Sequence, residues 1–162
     1  MKIIYCHHAN RKKGNPPGPN NDITNLGKQD AKLIAKLLKN VNVKNKISAV
    51  YTSPFLRCHK TATIINKHVN APIILDERLN EKDYLGKEDW VDCQNRIKSA
   101  LIDILKKHDN SETIVVVTSG VNIASFINLA YGIEASQNAP YLGVSMCCPI
   151  LFNIDKDKFN LN

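Results

Sequence analysis

The chain has 162 residues, of which 43% are hydrophobic, and this length and composition predict a single domain over residues 1–162. Its five cysteines are odd in number and irregularly spaced, which excludes a disulfide framework and favours free thiols in a reducing compartment. No apolar run approaches the roughly 20 residues of a membrane span, and the N-terminus lacks the apolar stretch of a secretion signal. We therefore expect a soluble, cytoplasmic protein with no membrane partner.

The net charge of +7 comes from 22 basic and 15 acidic residues, and a basic surface attracts anionic partners. The tight basic run is residues 11–13, and no aromatic residues alternate with the lysines to form a platform on which bases stack. The charge therefore indicates a solvated basic surface, and it does not favour nucleic acid as a partner.

Short β-branched segments alternate with helical patterns along the whole chain. Residues 2–6 are predicted to form the first strand, and residues 15–21, rich in proline and asparagine, a loop. Thr24 is a candidate N-cap for the next helix, which carries apolar residues at helical spacing on one face. Those apolar residues are Ala31, Ile34, Ala35 and Leu38.

The same alternation continues to the C-terminus. Further strands are predicted at residues 47–51, 72–75, 113–117 and 144–153, and further helices at residues 55–68, after residue 89, and at residues 121–131. The residues expected to be buried are Leu56, Ala62 and Ile65 on the second helix, and Ile97, Leu101, Ile104 and Leu105 on the third. On the last predicted strand, Cys147 and Cys148 are expected to point to opposite faces.

This order of elements predicts a three-layer α/β/α sandwich with a mostly parallel sheet, in which a ligand binds beyond the carboxyl ends of the strands. The candidate residues near those ends are His7 and His8, Arg57, Glu81, and Ser119 with Gly120. A histidine can attack phosphorus, an arginine can bind two phosphate oxygens, and a helix N-terminus offers backbone N–H donors. The pattern therefore predicts a phosphate site.

Segments in the same order resemble the histidine phosphatase (phosphoglycerate mutase-like) superfamily. They are residues 2–11, 23–27, 51–62, 76–81 and 115–121. Residues 51–62 (YTSPFLRCHKTA) are the most similar, to the family's Ser-Ser-Pro-x-x-Arg-x-x-x-Thr-Ala, and the triplet His7-His8-Ala9 stands where the family has Arg-His-Gly. Together these segments make the chain similar to a short, phosphohistidine-phosphatase-like member of the family.

The resemblance implies that His8 accepts the phosphoryl group and that Glu81 protonates the leaving oxygen. It also implies that His7, Arg57 and Ser119 bind the phosphate, with the Gly120 N–H as a further donor. The family has arginine at position 7 and histidine at position 119, so this chain departs from the pattern at two pocket positions. The implied partner is a phosphorylated small molecule or a phosphoprotein, and the family needs no metal or other cofactor.

Two functions remain open at this point. One is a phosphatase that works through phospho-His8 at a reduced rate, and the other is a catalytically inactive member that binds a phosphorylated ligand or a protein. Without the family, Arg57 is also consistent with a surface ion pair and Glu81 with a solvated loop charge. The Ser119 hydroxyl is expected to be satisfied at the strand end, with phosphate contact as the alternative.

A third hypothesis is a metal site. Its candidate ligands are Cys6, His7, His8, Cys58 and His59. Adjacent ligands on a strand point apart, and these spacings match no metal-binding motif, so we expect no metal.

Overall fold

The structure, a computed structural model, describes residues 1–14, 18–44, 46–82, 87–136 and 143–156. Within these residues the strands are β1 (Lys2–His7), β2 (Ile47–Thr52), β3 (Ile73–Leu75), β4 (Thr113–Thr118) and β5 (Pro149–Asn153). The helices are α1 (Asn25–Lys44), α2 (Leu56–Val69), α3 (Trp90–Lys107) and α4 (Gly120–Ala130), with a 3₁₀ turn at Glu77–Leu79.

The strands form one sheet in the order β3-β2-β4-β1-β5. The first four strands of that order are parallel neighbours, and β5 runs antiparallel to β1 at the edge. β4 lies at the centre, and all six of its residues are buried. A β-branched run without polar alternation is typical of a strand that is covered on both faces. The predicted α/β class with a mostly parallel sheet is confirmed.

Alternation along β1 sends side chains to two separate apolar cores. Ile4 packs with Ile34 and Leu38 of α1, in a core that α2 also covers. Tyr5 packs on the opposite face, where its ring stacks on Phe126 of α4 with a centroid distance of 4.2 Å. The helices therefore cover both faces of the sheet, and the carboxyl ends of its parallel strands meet at one edge.

The start of α1 is tied to the loop that follows β1. Thr24 caps the helix as predicted, since its Oγ1 accepts a hydrogen bond from the Gly27 N–H at 3.0 Å. The Thr24 N–H in turn donates to the Asn10 carbonyl at 2.8 Å. A Cβ at position 27 would come within 2.4 Å of the same Asn10 oxygen, so only glycine allows this close approach.

Two sequence predictions about local structure were wrong. The last strand begins at Pro149 and not at residue 144, because Cys147 adopts a positive φ of 53° and lies in a turn. The two neighbouring cysteines are therefore not on a strand. Leu56 is only partly buried at the start of α2, where the N-cap position is Phe55.

Two further expectations concern free thiols and membrane-spanning segments. All five cysteines carry free thiols. None of the described helices is long and apolar enough to span a bilayer.

Candidate active site

The fold brings the candidate residues to the carboxyl edge of the parallel strands. His7 is the last residue of β1 and pairs in register with Thr118, the last residue of β4. The His8 N–H donates to the Thr118 carbonyl at 2.9 Å, which places the histidine pair beside the turn that opens α4. Ser119 and Gly120 form that turn.

His8 is held in one orientation with its ring neutral. It is 2% exposed, and its Nδ1 lies 2.9 Å from the Ala9 carbonyl, to which it donates. This contact puts the proton on Nδ1 and leaves the Nε2 lone pair for chemistry. Burial, and then the charges of His7, Arg57 and Arg11, lower the pKa of His8 to about 3. The ring is therefore an unprotonated potential nucleophile at neutral pH.

His7 packs across the N-terminus of α4. Its Nδ1 donates to the Val144 carbonyl at 2.8 Å, and its ring lies edge-on to that of His8 with a centroid distance of 4.6 Å. A Cβ at Gly120 would lie 2.9 Å from the His7 Cε1, so the glycine makes room for this ring. Burial lowers the pKa of His7, opposed by its bond to Val144 and by the charge of Glu81. At neutral pH His7 therefore does not supply the permanent charge of an arginine.

Arg57 is a buried cation, and one of its N–H groups, Nε, has no acceptor among the described residues. Its side chain is 2% exposed; Nη1 donates to the Gly18 carbonyl at 2.9 Å and Nη2 to Glu81 Oε2 at 2.5 Å. Its guanidinium carbon lies 4.9 Å from the centre of the Phe55 ring. No described residue accepts a hydrogen bond from the buried Nε. Buried N–H groups are nearly always hydrogen-bonded, so this one is a candidate donor to a bound ligand.

Glu81 faces this cation from the segment after the 3₁₀ turn. The carboxylate is 23% exposed, so it lies between the buried guanidinium and solvent. A groove of about 460 Å³ adjoins it, lined by three glutamates (77, 81 and 88), two arginines (78 and 96), Phe55 and Asn80. The structure therefore brings Glu81 next to Arg57 and to an open groove that can hold the rest of a substrate.

Ser119 differs from the expectation of a satisfied hydroxyl. The residue is fully buried, it stands at the N-cap of α4 without capping the helix, and its Oγ has no hydrogen-bond partner in the described part of the chain. The backbone of Ser119 is extended, as is usual at an N-cap, but its side chain accepts no hydrogen bond from the first turn of α4, so the hydroxyl lacks the partner that capping would give it. The hydroxyl is left as a second buried donor at the strand end.

Sequence reasoning missed the residues that position the acid. Asn122 donates from Nδ2 to the carbonyls of Leu79 and Asn80 at 2.8 and 2.9 Å, and the Ser53 hydroxyl donates to Asn80 Oδ1 at 2.6 Å. These bonds fasten the segment before Glu81 to α4 and to the end of β2. The sequence offered one indication of this contact, because Asn122 is a polar residue in the first turn of an otherwise apolar helix.

The sequence matches the histidine phosphatase superfamily (branch 1) over residues 7–87 and 82–162, which together span most of the chain. The chain belongs to this superfamily. Phosphoserine phosphatase 1 of Hydrogenobacter thermophilus is 25% identical over 173 aligned residues, covering 85% of this chain and 79% of that protein. The chain is therefore similar to a phosphatase over most of both lengths.

Solved structures of the superfamily share the fold. YhfR of Bacillus stearothermophilus superposes with a TM-score of 0.79 at 23% identity, covering 98% of this chain and 94% of that one. The protein histidine phosphatase SixA, solved with tungstate, superposes with a TM-score of 0.73 at 15% identity, covering 97% and 90%. These superpositions show that the chain has the same fold, and identities this low do not identify its substrate.

Proposed function

We propose that this superfamily member hydrolyses a phosphomonoester or a protein phosphohistidine through a phospho-His8 intermediate. The observation that carries the proposal is His8, whose neutral ring is anchored through Nδ1 at the carboxyl edge of β1. Of the three buried side-chain atoms without partners in the described chain, Arg57 Nε lies at the start of α2 and Ser119 Oγ at the start of α4, whereas Thr113 Oγ1 is at the opposite end of β4. Arg57 Nε and Ser119 Oγ supply the donors that a phosphoryl group needs.

In the proposed binding step, a phosphate oxygen accepts from Arg57 Nε and another from the Ser119 hydroxyl. The N–H of Gly120, at the start of α4, adds a backbone donor at a helix N-terminus. Bidentate binding by Arg57 also uses Nη2, which Glu81 occupies, so the carboxylate moves aside as the phosphate arrives. The Nδ1 proton of His7 is held by the Val144 carbonyl, so His7 donates to a phosphate oxygen from Nε2 only when the ring is protonated.

The proposed chemistry has two displacements. Once released from Arg57, the Glu81 carboxylate takes a proton from solvent and becomes the general acid. The Nε2 lone pair of His8 bonds to phosphorus while the phosphorus–oxygen ester bond breaks, and the leaving oxygen takes that proton from Glu81. Water then gives a proton to the Glu81 carboxylate and attacks the phosphohistidine, which releases inorganic phosphate and restores neutral His8. For a phosphohistidine substrate the leaving atom is an imidazole nitrogen, and the same proton transfer applies.

The two departures from the family pattern reduce the expected rate. Each lost charge-assisted hydrogen bond to the transferring phosphoryl costs on the order of 2–4 kcal/mol. His7 is neutral at pH 7, and the Ser119 hydroxyl is a single neutral donor. We therefore expect turnover well below that of a phosphatase with arginine and histidine at these positions.

Two observations support a substrate class: the groove beside Glu81 and the names of the relatives. The groove beside Glu81 is wide and lined by charged side chains, which suits a polar leaving group. Phosphoserine phosphatase 1 and SixA are named for a phosphorylated small molecule and a phosphorylated protein, respectively. We infer one of these two classes for this chain, acting in the cytoplasm, where free thiols are maintained.

The test compares wild type with His8→Ala, using para-nitrophenyl phosphate, phosphoserine and a phosphohistidine protein as substrates. Exposed His68 on α2 provides the matched control, His68→Ala. We expect turnover by wild type and the control, and its loss in His8→Ala, together with an acid-labile phosphoryl-enzyme in rapid-quench samples. Equal background rates in all three proteins would exclude the enzymatic function.

The Arg57–Glu81 ion pair favours a second candidate function. It pairs the charge of the phosphate-binding arginine without any ligand, as expected for a catalytically inactive member that binds phosphorylated ligands or proteins weakly. In that case phosphate binding, measured by calorimetry, persists in His8→Ala while neither protein turns over any of the three substrates.

A further inference from the structure

The exposed apolar side chains of the chain are concentrated on one side. The large hydrophobic residues exposed in the described part of the chain are Leu26, Leu33, Leu37, Leu75, Tyr131, Met146 and Leu151. Scattered single residues of this kind are normal on a protein surface, whereas a contiguous group marks a contact surface. Five of the seven lie between α1 and the edge strand β5.

The exposed leucines of α1 share one side of the helix. Leu26 lies four residues before Asp30, and Leu33 and Leu37 lie three and seven residues after it, so the four side chains form one row. Cys147 packs against the small buried cluster of Ala9, Ile23 and Ala31, the last of which belongs to α1. Burial raises the pKa of Cys147 to about 12, and the Asp30 carboxylate acts in the same direction. The turn that contains Met146 and Cys147 therefore lies near Asp30, one member of this row.

Leu151 lies on the same face of the sheet. It pairs in register with Ile4 of β1, and cross-strand partners project to the same face. Ile4 packs in the core formed with α1, so Leu151 lies on the α1 side, at the outer edge. We call Leu26, Leu33, Leu37, Met146 and Leu151 the α1–β5 patch.

We propose that the α1–β5 patch is the interface with a second copy of this chain, in which β5 pairs antiparallel with its copy across a two-fold axis. β5 is an edge of the sheet, and its sequence, Pro-Ile-Leu-Phe-Asn, contains no charged residue. Edge strands that stay unpaired are normally short or protected by charges. A strand related to itself by a two-fold axis forms an antiparallel ladder, and the α1 rows then meet on one side of it.

The distribution of charge supports a second copy over an anionic partner. The chain carries a net charge of +7, yet the only charged residue in the row on α1 is Asp30. The lysines at 28, 32, 36 and 39 lie roughly 90–170° from the middle of this row around the helix axis. Two copies of the patch can therefore meet without bringing these lysines together. An anionic partner would instead be attracted to the lysine row.

The exposed area is of the size that a dimer needs. The leucines of the patch are between 55% and 59% exposed and Met146 is 44% exposed. Five such side chains present on the order of 500 Å² of surface, so two copies bury about 1,000 Å², the lower limit for a specific interface. The backbone of two β5 strands adds to this area.

The proposed interface is connected to the candidate active site. The Cys147 N–H donates to the His8 carbonyl at 3.4 Å, and the Val144 carbonyl holds His7. Both contacts come from the segment between α4 and β5, which also carries Met146. Pairing at β5 is therefore expected to restrict the motion of the segment that contains Val144 and Cys147, which contact the two histidines.

Sedimentation velocity of the full chain tests the proposal at concentrations from about 1 to about 100 µM. Wild type is expected to reach twice the chain mass of 18.1 kDa, and the double variant Leu33→Glu with Leu151→Glu to stay at 18.1 kDa. Leu75→Glu is the matched control, because Leu75 is 54% exposed on β3, at the opposite edge of the sheet. Far-UV circular dichroism establishes that each variant is folded.

A wild-type mass of 18.1 kDa at every concentration overturns the proposal. So does a dimer that survives in the double variant or that dissociates in Leu75→Glu. If the double variant does not fold, hydrogen exchange of wild type decides, since the β5 amides are then expected to gain protection as concentration rises. Protection of β5 that is independent of concentration indicates pairing within one chain and also contradicts the proposal.

Discussion

Arg57 donates from Nη2 to Glu81 Oε2 at 2.5 Å, which joins the candidate phosphate-binding residue directly to the candidate acid. The pair is largely shielded, with side-chain exposures of 2% and 23%. The carboxylate therefore occupies a nitrogen that a phosphate oxygen can also use. In the proposed reaction, phosphate binding and the release of Glu81 are coupled.

Glu81→Gln is expected to tighten the binding of inorganic phosphate while slowing turnover. Removing the carboxylate charge favours the incoming phosphate by about tenfold, or about 1.4 kcal/mol. Loss of the general acid lowers kcat by about 10²–10⁴-fold. Calorimetry and para-nitrophenyl phosphate kinetics measure the two effects, with Glu134→Gln, at an exposed position after α4 and outside the groove, as the control. Weaker phosphate binding in Glu81→Gln is the opposite of this expectation.

Acid is expected to destabilise the fold through His8. Burial lowers its pKa to about 3 in the folded state, whereas the unfolded chain has the ordinary value near 6.5. Between these two values the unfolded state binds the proton and the folded state does not. The free energy of unfolding therefore falls as pH drops, by up to about 1.4 kcal/mol per pH unit from this residue.

Urea unfolding at pH 7, 6, 5 and 4 measures this slope in wild type and in His8→Asn. The variant is expected to lose stability less steeply, because asparagine does not titrate. His68→Asn, at an exposed position of α2, controls for the removal of a histidine as such. Parallel slopes in wild type and His8→Asn would show that His8 does not resist protonation on folding.

His7 is expected to make activity depend on pH in a different way. Its pKa is lowered by burial, so the ring becomes cationic only below its ordinary value near 6.5. The cation binds a phosphate more strongly than the neutral ring. The ratio of kcat/KM for wild type to that for His7→Gln therefore rises as pH falls from 7 to 5. Because the substrate titrates in the same way with both proteins, its titration cancels in the ratio. A ratio that does not change with pH contradicts a cationic role for His7.

The order of strands and helices along the chain and the buried helix faces were predictable because they depend on local periodicity. β4 is a continuous β-branched run, and the apolar face of α3 recurs at helical spacing. The start of β5 was not predictable in this way. Residues 144–148 are mostly apolar, yet Cys147 turns out of the sheet with a positive φ and donates to the His8 carbonyl, a contact between distant parts of the chain.

The same distinction applies to the candidate site. Its location followed from the rule about strand ends, and His8 and Arg57 lie where that rule puts them. The partners of the side chains did not follow, because they come from remote segments. His7 bonds to Val144, 137 residues away, and Arg57 bonds to Glu81, 24 residues away. Sequence spacing carries no information about such pairs before the fold is known.

Restoring the family residues at both altered positions is expected to raise activity. His7→Arg supplies a permanent charge with a bidentate fork, and Ser119→His supplies an imidazole donor in place of the unpartnered hydroxyl. If these positions limit turnover, the double variant gains about 10–10²-fold in kcat/KM for para-nitrophenyl phosphate. No gain in a folded double variant places the limitation elsewhere in the site.

Gly120→Ala is expected to disturb His7 without adding or removing a charge. The new methyl group would lie 2.9 Å from the His7 Cε1, which forces the ring away from the Val144 carbonyl. Phosphate binding should weaken by about tenfold, or about 1.4 kcal/mol, because the proposed His7 and Gly120 contacts both shift. Gly143→Ala is the matched control, since a Cβ there meets no atom within 4 Å. Calorimetry with inorganic phosphate measures the effect, and the imidazole NMR signals of His7 report the displacement of the ring. Unchanged His7 signals in Gly120→Ala would mean that the helix start, and not the ring, yields to the methyl group.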